Sequence, residues 1–174
     1  MHNYLNEKTV YLCGPIKAAH DDGMGWRETI TPRLEQLGIN VLDPCKKSAN
    51  GAVGEIGDDK ARFRKLVMDE QWKTLKENFW PVVRQDLSSV DKCDFMIVSY
   101  DTSIQTIGTV HEMVVAQFEK KVVLLKYDRN QLHDFNPWIA TFVKSHHFFA
   151  EWDDMFKYLD GVDDGIFDTS LWVL

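Results

Sequence analysis

The segment DFMIVSYDTSIQTIGTVHEMVVAQFEKKVVLL, residues 94–125, contains two apolar runs separated by a polar loop and an amphipathic stretch. The first run, at 94–100, and the second, which continues to residue 127, are continuously apolar, as is typical of strands in a parallel sheet covered on both faces. Between them, apolar residues at about 107–119 recur at helical spacing. Glu112 lies in this predicted helix, where it is either an ordinary solvated residue or a functional carboxylate.

The same alternation of strands and helices extends over the rest of the chain. Further strands are predicted at 9–13, 39–44 and 146–150. Further helices are predicted at 26–38, from Asp58 or Asp59 to Pro81, at 82–93, at 136–144 and at 151–159. This order predicts an α/β protein in which residues 1–174 form a single domain, a doubly wound parallel five-stranded sheet of flavodoxin-like or Rossmann-like type.

Two loops that follow strands of this predicted sheet contain residues that are unusual for simple connections. They are CGPIKAAHDDGMGWR after the strand at 9–13 and DTSIQTIGT after the strand at 94–100. Ligands of doubly wound sheets bind beyond the carboxyl ends of the strands, near the point where the strand order reverses. Because the strands are parallel, both loops are expected at the same edge of the sheet.

Composition and charge exclude several classes of protein. Hydrophobic residues make up 44% of the chain, and its net charge is −7, which argues against a general nucleic-acid binder but leaves room for a small basic pocket. The three cysteines have no metal-ligand spacing, and no window is apolar enough to span a membrane. We therefore expect a cytoplasmic protein with no metal and no cofactor, and no binding to nucleic-acid polymers or membranes.

Residues 45–60 form an unusually long connection that is rich in glycine. Loops of this length are often functional or disordered, so this one is predicted to be a flexible loop or a lid. Basic residues near it are candidates for contact with a phosphate: Lys46, Lys47, Arg62 and Arg64.

Three motifs in order, VYLCGPI with WR, RQDLSSVDKCDFMIV and GTVHEMVVA, resemble those of the nucleoside 2-deoxyribosyltransferase superfamily. The resemblance covers roughly residues 8–127. It includes transferases and the related nucleotide N-glycosidases, and it implies the same α/β fold. In this family a glutamate attacks the anomeric carbon of the sugar, the base departs, and an ester between the sugar and the enzyme is resolved by a second base or by water.

The resemblance assigns the catalytic carboxylates. It implies that Glu112 is the nucleophile and that Asp86, in the QDL element, orients the sugar or the nucleophile and moves a proton to the departing base. Glu112 is expected in or near the first turn of its helix, where free amides and the helix dipole favour an anion. Gly108 would allow the backbone to approach a ligand closely, and Thr109 would cap the helix or donate to an oxygen of the ligand.

The resemblance also implies a set of substrate-binding residues. Gly14, Pro15 and Ile16 would line the floor of the site near the base or the sugar. The remaining candidates are Trp26 as a stacking surface or a core residue, Asp101 for a base or a ribose, Thr106 or Ser103 for a 5′-phosphate, and Asn136 for the site of a neighbouring subunit.

Other features have plainer interpretations or depart from the family pattern. Cys13 is expected to be a small buried hydrophobic residue, and His111 to be incidental, on another side of the helix from Glu112. Many relatives have glycine two residues before and after the nucleophile, where this chain has Val110 and Val114. A bulkier wall at these positions would narrow the sugar pocket or displace Glu112.

The leading hypothesis is an enzyme that cleaves or exchanges the N-glycosidic bond of a (deoxy)nucleoside or its 5′-monophosphate. The residues leave open whether a second base or water accepts the sugar. The alternatives are a nucleotide-binding module of the same fold without catalysis, which Val110 and Val114 motivate, and a structural subunit of a larger assembly. Since relatives complete their sites with residues of a partner chain, a homodimer or a higher multiple with shared active sites is expected, and the apolar tail ending at Leu174 is a candidate contributor.

Overall fold

A computed structural model of the chain describes residues 3–16, 19–46, 58–104, 106–167, 169–170 and 172. Most of the predicted lid (residues 47–57, with Lys47) and the C-terminal Leu174 lie outside these residues. No helix in the described ranges is both long and apolar enough to cross a lipid bilayer.

The strands form one parallel sheet of five, as the continuous apolar runs predicted. They are β1 (Thr9–Cys13), β2 (Asn40–Leu42), β3 (Phe95–Tyr100), β4 (Val122–Tyr127) and β5 (Phe148–Phe149). Their spatial order is β2-β1-β3-β4-β5, and every neighbouring pair is parallel. This order confirms the flavodoxin-like alternative, and its direction reverses between β1 and β3.

Helices cover both faces of the sheet. The α-helices are α1 (Met24–Gln36), α2 (Asp58–Met68), α3 (Trp72–Lys92), α4 (Ile107–Phe118) and α5 (Trp152–Asp163). Alternate residues of the strands point to opposite faces, so two separate cores form. Val10 and Leu12 pack with α1 and α5, whereas Tyr11 and Cys13 pack with α3 and α4.

The helix break predicted at Pro81 was wrong. Pro81 lies inside α3, and α2 ends instead near Glu70, whose φ is 52°. Backbone bonds from Glu70 to Val67 and from Gln71 to Leu66 form the 5→2 and 6→1 pair that terminates helices. Pro81 costs α3 one amide donor, but it lies on the exposed side of the helix, where water can satisfy the carbonyl left without that donor.

The region before β5 also differs from the prediction. A single helix was expected at 136–144, but the chain forms short 3₁₀ turns at Arg129–Asp134, Pro137–Thr141 and Ser145–His147. The expected strand at 146–150 is reduced to β5, so the two histidines lie in a turn. Their rings contact each other edge to face, with centroids 4.2 Å apart.

Candidate active site

A cavity of about 860 Å³ opens beyond the carboxyl ends of β1 and β3, where the strand order reverses. Its wall comes from the end of β1, from α2 and α3, and from α4 with the loop before it. The lining residues with functional groups or unusual backbone are Tyr11, Gly14, Pro15, Ile16, Lys60, Arg64, Asp86, Thr106, Gly108, Thr109, His111 and Glu112. Apolar side chains of α3, Phe79, Val82, Val83 and Leu87, complete one side.

Glu112 is held at both carboxylate oxygens by β1. The Tyr11 hydroxyl donates to Oε1 at 2.9 Å, and the Cys13 thiol donates to Oε2 at 2.8 Å. Tyr11 and Cys13 are two residues apart on a strand and therefore point to the same face of the sheet. Glu112 is only 9% exposed although it lines the cavity, so β1 fixes the orientation of a nearly buried carboxylate.

Both donors keep their protons at neutral pH. Burial raises the pKa of the Tyr11 hydroxyl well above its ordinary value, and the neighbouring Glu112 carboxylate raises it further. Burial and Glu112 likewise raise the pKa of the Cys13 thiol well above its ordinary value. A protonated thiol is a poor nucleophile, so Cys13 acts as a hydrogen-bond donor and not as a reactive thiolate.

Glu112 is not in the first turn of its helix. It is the sixth residue of α4, and α4 has no acidic residue in its first turn. The free amides of that turn therefore belong to earlier residues, and Tyr11 and Cys13 replace them as donors. Thr109 is buried inside the first turn and does not cap α4, whose N-cap residue is Thr106.

The floor of the cavity is fixed by a buried guanidinium. Arg27 is fully buried and donates to the carbonyls of Leu12 at 3.2 Å, Gly14 at 3.1 Å and Gly23 at 2.5 Å. Its Nε atom also lies 3.6 Å from Asp43 Oδ1, in a carboxylate that is 3% exposed. These bonds hold the backbone of Gly14, which lies directly after Cys13, against α1.

The two glycines of the site have different roles. A Cβ atom on Gly14 would lie 3.0 Å from the Ser99 carbonyl oxygen and 3.1 Å from the Trp26 ring, so close packing of β1 on β3 and α1 requires glycine there. A Cβ atom on Gly108 would meet no atom within 4 Å among the described residues. The backbone at Gly108 therefore faces open space in the cavity.

Asp86 contributes the second carboxylate of the cavity, from α3. It also lines a smaller, more polar cavity of about 310 Å³, which shares Asp86 and Pro44 with the larger one. Asp86 therefore forms part of the wall between the two spaces. No cluster of three or more metal-binding side chains is found in the part of the chain that the structure describes.

Four predicted substrate-binding residues do not line the cavity: Trp26, Asp101, Asn136 and Ser103, whereas Thr106, the other candidate for a 5′-phosphate, does line it. The Trp26 ring stacks on Trp152, with centroids 5.6 Å apart, and belongs to the core beneath Gly14. Asp101 accepts hydrogen bonds from the amide and hydroxyl of Ser103 within its own loop. Asn136 is exposed and caps a 3₁₀ turn by accepting from the amide of residue 138.

On α4 and α2, the residues that line the cavity differ from those expected. Val110 and Val114 do not line the cavity, because residues two positions from Glu112 lie on the opposite side of a helix, whereas His111 does line it. Arg64 reaches the cavity, Lys46 lines the smaller one, and Arg62 reaches neither. The sequence motifs did not identify Tyr11, Cys13 and Lys60 as site residues. The alternation of Tyr11 and Cys13 along β1 was the available signal for the first two.

Several solved structures share the fold of this chain. No family model matches the chain, and no curated protein matches it by sequence. A 2-deoxyribosyltransferase from Bacillus psychrosaccharolyticus superposes with a TM-score of 0.60 at 16% identity, over 86% of this chain and 91% of that one. The 2-deoxyribosyltransferase from Leishmania mexicana superposes with a TM-score of 0.57 at 16% identity, over 87% and 96%.

This chain has the 2-deoxyribosyltransferase fold. A conserved protein from Enterococcus faecalis V583 shares it, with a TM-score of 0.61 at 14% identity over 90% of this chain and 99% of that one. The resemblance read from the three sequence motifs is thus confirmed at the level of the fold.

Proposed function

We propose that the protein cleaves or exchanges the N-glycosidic bond of a (deoxy)nucleoside or its 5′-monophosphate. The observation that carries the proposal is the Glu112 carboxylate, which lines a large cavity while its two oxygens accept hydrogen bonds from Tyr11 and Cys13. A nucleophile must be presented to the substrate in one orientation, and two fixed donors provide this.

The proposed reaction has two displacement steps. In the first, Glu112 attacks the anomeric carbon of the sugar from the side opposite the base. A C–O bond forms, the C–N bond breaks, and the base leaves with the electron pair and takes up a proton. In the second, water or another base attacks the same carbon, gives up a proton and releases the Glu112 carboxylate.

Asp86 is the group proposed to handle the proton. It lines the same cavity as Glu112 but comes from α3, so it can face the base side of a bound substrate while Glu112 faces the sugar. When protonated it would donate to the departing base, and when ionised it would accept a proton from the incoming water or base. Such proton transfer contributes about 100-fold to 10,000-fold to enzymatic rates.

The proposal is tested by chromatography of free base. The protein and its Glu112→Ala variant are incubated with a panel of deoxynucleosides and deoxynucleotides, with and without a second base. Base released without an acceptor would make the protein a hydrolase, and a new nucleoside formed only with an acceptor would make it a transferase. Both activities should be absent in the variant, and activity retained by Glu112→Ala would overturn the role of Glu112.

A catalytically inactive binding module would give another result in the same experiment. It would show no turnover, and nucleotides would stabilise the protein and its Glu112→Ala variant alike. Val110 and Val114 motivated this alternative, but neither contacts the cavity, so they do not favour it.

We also propose that the active sites are shared between chains of a homodimer or higher oligomer. Ile107 and Phe118 are 72% and 81% exposed, and they lie eleven residues apart on α4, hence on the same side. Ile107 also lines the cavity, so a partner covering this side would reach the site. Sedimentation should give a dimer or larger species that Phe118→Asp dissociates, and a wild-type monomer at micromolar concentration would contradict the proposal.

A further inference from the structure

Two cations face the candidate site from one helix. Lys60 and Arg64 both line the large cavity, and they are one turn apart on α2. Residues four apart lie on the same side of a helix, so the two side chains point toward one region of the cavity wall. Two other basic residues of α2, Arg62 and Lys65, do not line the cavity.

Lys60 forms an ion pair with Asp22 that an incoming anion can displace. Its Nζ atom lies 3.0 Å from Asp22 Oδ1, and the two side chains are 40% and 31% exposed. Ion pairs this open to solvent contribute little to stability, so an anion in the cavity competes for Lys60 at small cost. Arg64 is exposed and has no ion pair within the described ranges.

The two cations lie in a cavity that also contains acidic residues. The acidic residues of its lining are Asp86 and Glu112, in a chain whose net charge is −7. A neutral nucleoside can enter such a cavity without help, but a phosphate dianion is repelled unless cations meet it. A guanidinium and an ammonium supply charged donors to the oxygens of a phosphate.

We infer that Lys60 and Arg64 form an anion subsite for the 5′-phosphate of the substrate, which makes nucleoside 5′-monophosphates the preferred substrate class. This inference rests on the proposed function, because it assigns the substrate of the same cavity. On binding, the phosphate takes Lys60 from Asp22 and accepts hydrogen bonds from both side chains. The base and sugar then extend toward Asp86 and Glu112.

The inference is tested by equilibrium binding, measured separately from turnover. Isothermal titration calorimetry of the Glu112→Ala variant compares deoxynucleoside 5′-monophosphates with the matching deoxynucleosides. Adding Lys60→Ala and Arg64→Ala should weaken binding of the monophosphates by at least about tenfold each and leave the nucleosides within about twofold. Arg62→Ala and Lys65→Ala are the matched controls, since each removes one positive charge from the same helix outside the cavity.

The possible outcomes distinguish failure of the phosphate subsite from failure of the proposed function. Unchanged monophosphate binding in the Lys60→Ala/Arg64→Ala protein, or an equal loss for nucleosides, would overturn the subsite. Inorganic phosphate that binds as tightly as the monophosphates would show a site for free phosphate and overturn the nucleotide assignment. Failure of the wild type to release base from any substrate would overturn the proposed function, whereas the binding comparison would still decide the subsite. A cavity that binds neither ligand class would overturn both.

Discussion

At the scale of single residues, the proposed chemistry rests on Glu112 and on the two side chains that donate hydrogen bonds to it, Tyr11 and Cys13. Tyr11 and Cys13 are 1% and 0% exposed, and each donates to one oxygen of Glu112. Buried donors held in a packed core cannot rotate away, so the carboxylate has one orientation before any substrate binds. Orientation of this kind reduces the entropy that the reaction must otherwise lose.

Removal of the two donors should have unequal effects on the rate of base release. Because a hydroxyl is a stronger donor than a thiol, Tyr11→Phe should lower kcat about 10-fold to 100-fold and Cys13→Ala less than about tenfold. Steady-state kinetics of base release measure both. Tyr100→Phe is the control, since Tyr100 is also a strand tyrosine but packs on Phe135 outside the cavity. Equal losses in all three variants would show that the hydrogen bonds to Glu112 do not matter.

The residues of the site were only partly predictable. The motifs gave Glu112 and Asp86, and the glycine and proline after β1 pointed to the cavity floor. Cys13 was expected to be a small buried hydrophobic residue and Tyr11 was only part of a predicted strand. The fold alone shows that α4 places a carboxylate within hydrogen-bond distance of both. Lys60 was missed because the sequence does not show which side of α2 faces the cavity.

At the scale of elements, Arg27 links α1 to the ends of β1 and β2. Its guanidinium and Asp43 are nearly excluded from solvent, and three carbonyls depend on it. A buried charge that loses its partner is strongly destabilising, whereas replacing both charges costs less.

The ion pair of Arg27 should therefore behave asymmetrically. Arg27→Met should lower the free energy of unfolding by about 3–5 kcal/mol because it leaves Asp43 buried and unpaired. The double variant with Asp43→Asn should recover part of that loss. Urea denaturation measures both, and a double variant less stable than Arg27→Met would contradict the account of this pair.

The break between α2 and α3 shows why helix boundaries were harder to predict than helices. Sequence patterns mark helix ends by glycine or proline, but here Glu70 takes the left-handed conformation and Pro81 is tolerated inside α3. The bonds from Glu70 and Gln71 back to α2 fix this turn without any glycine. The local sequence therefore has no glycine or proline that would predict this turn.

Substitution of the strained residue should stabilise the protein. Glu70 is exposed at a φ of 52°, where a side chain is unfavourable, so Glu70→Gly should raise the free energy of unfolding by about 1 kcal/mol. Glu70→Ala should give no such gain, since alanine has the same strain. Thermal unfolding compares the two variants, and equal stabilities would contradict the left-handed assignment.

At the scale of the whole molecule, the fold was the most predictable property. Continuous apolar strands alternating with helices leave few arrangements other than a parallel sheet covered on both faces, and all five strands pair as expected. The region before β5 was the exception. There, Ile139 and Val143 are buried in the core that contains Tyr11 and Cys13, and Phe142 packs against it, so apolar spacing alone suggested a regular helix.

Acid should destabilise the whole molecule through His147. Burial lowers the pKa of this residue to about 4, and the charges of His146 and Lys144 contribute. In the unfolded chain its pKa is about 6.5, so the stabilisation is complete above that pH and is lost as the pH falls to about 4. His147→Gln should reduce the loss of stability between about pH 7 and pH 4 by about 3 kcal/mol. His146→Gln is the exposed control, and an equal effect in both variants would exclude His147 as the cause.

The proposed mechanism requires a covalent ester between Glu112 and the sugar. Acid-quenching the protein during turnover of the best substrate and mapping its peptides by mass spectrometry would detect this ester. We expect one added sugar, or sugar phosphate, on the peptide that contains Glu112, and no such adduct in the Glu112→Ala variant. Turnover with an unmodified Glu112 peptide and an adduct on another side chain would contradict this mechanism.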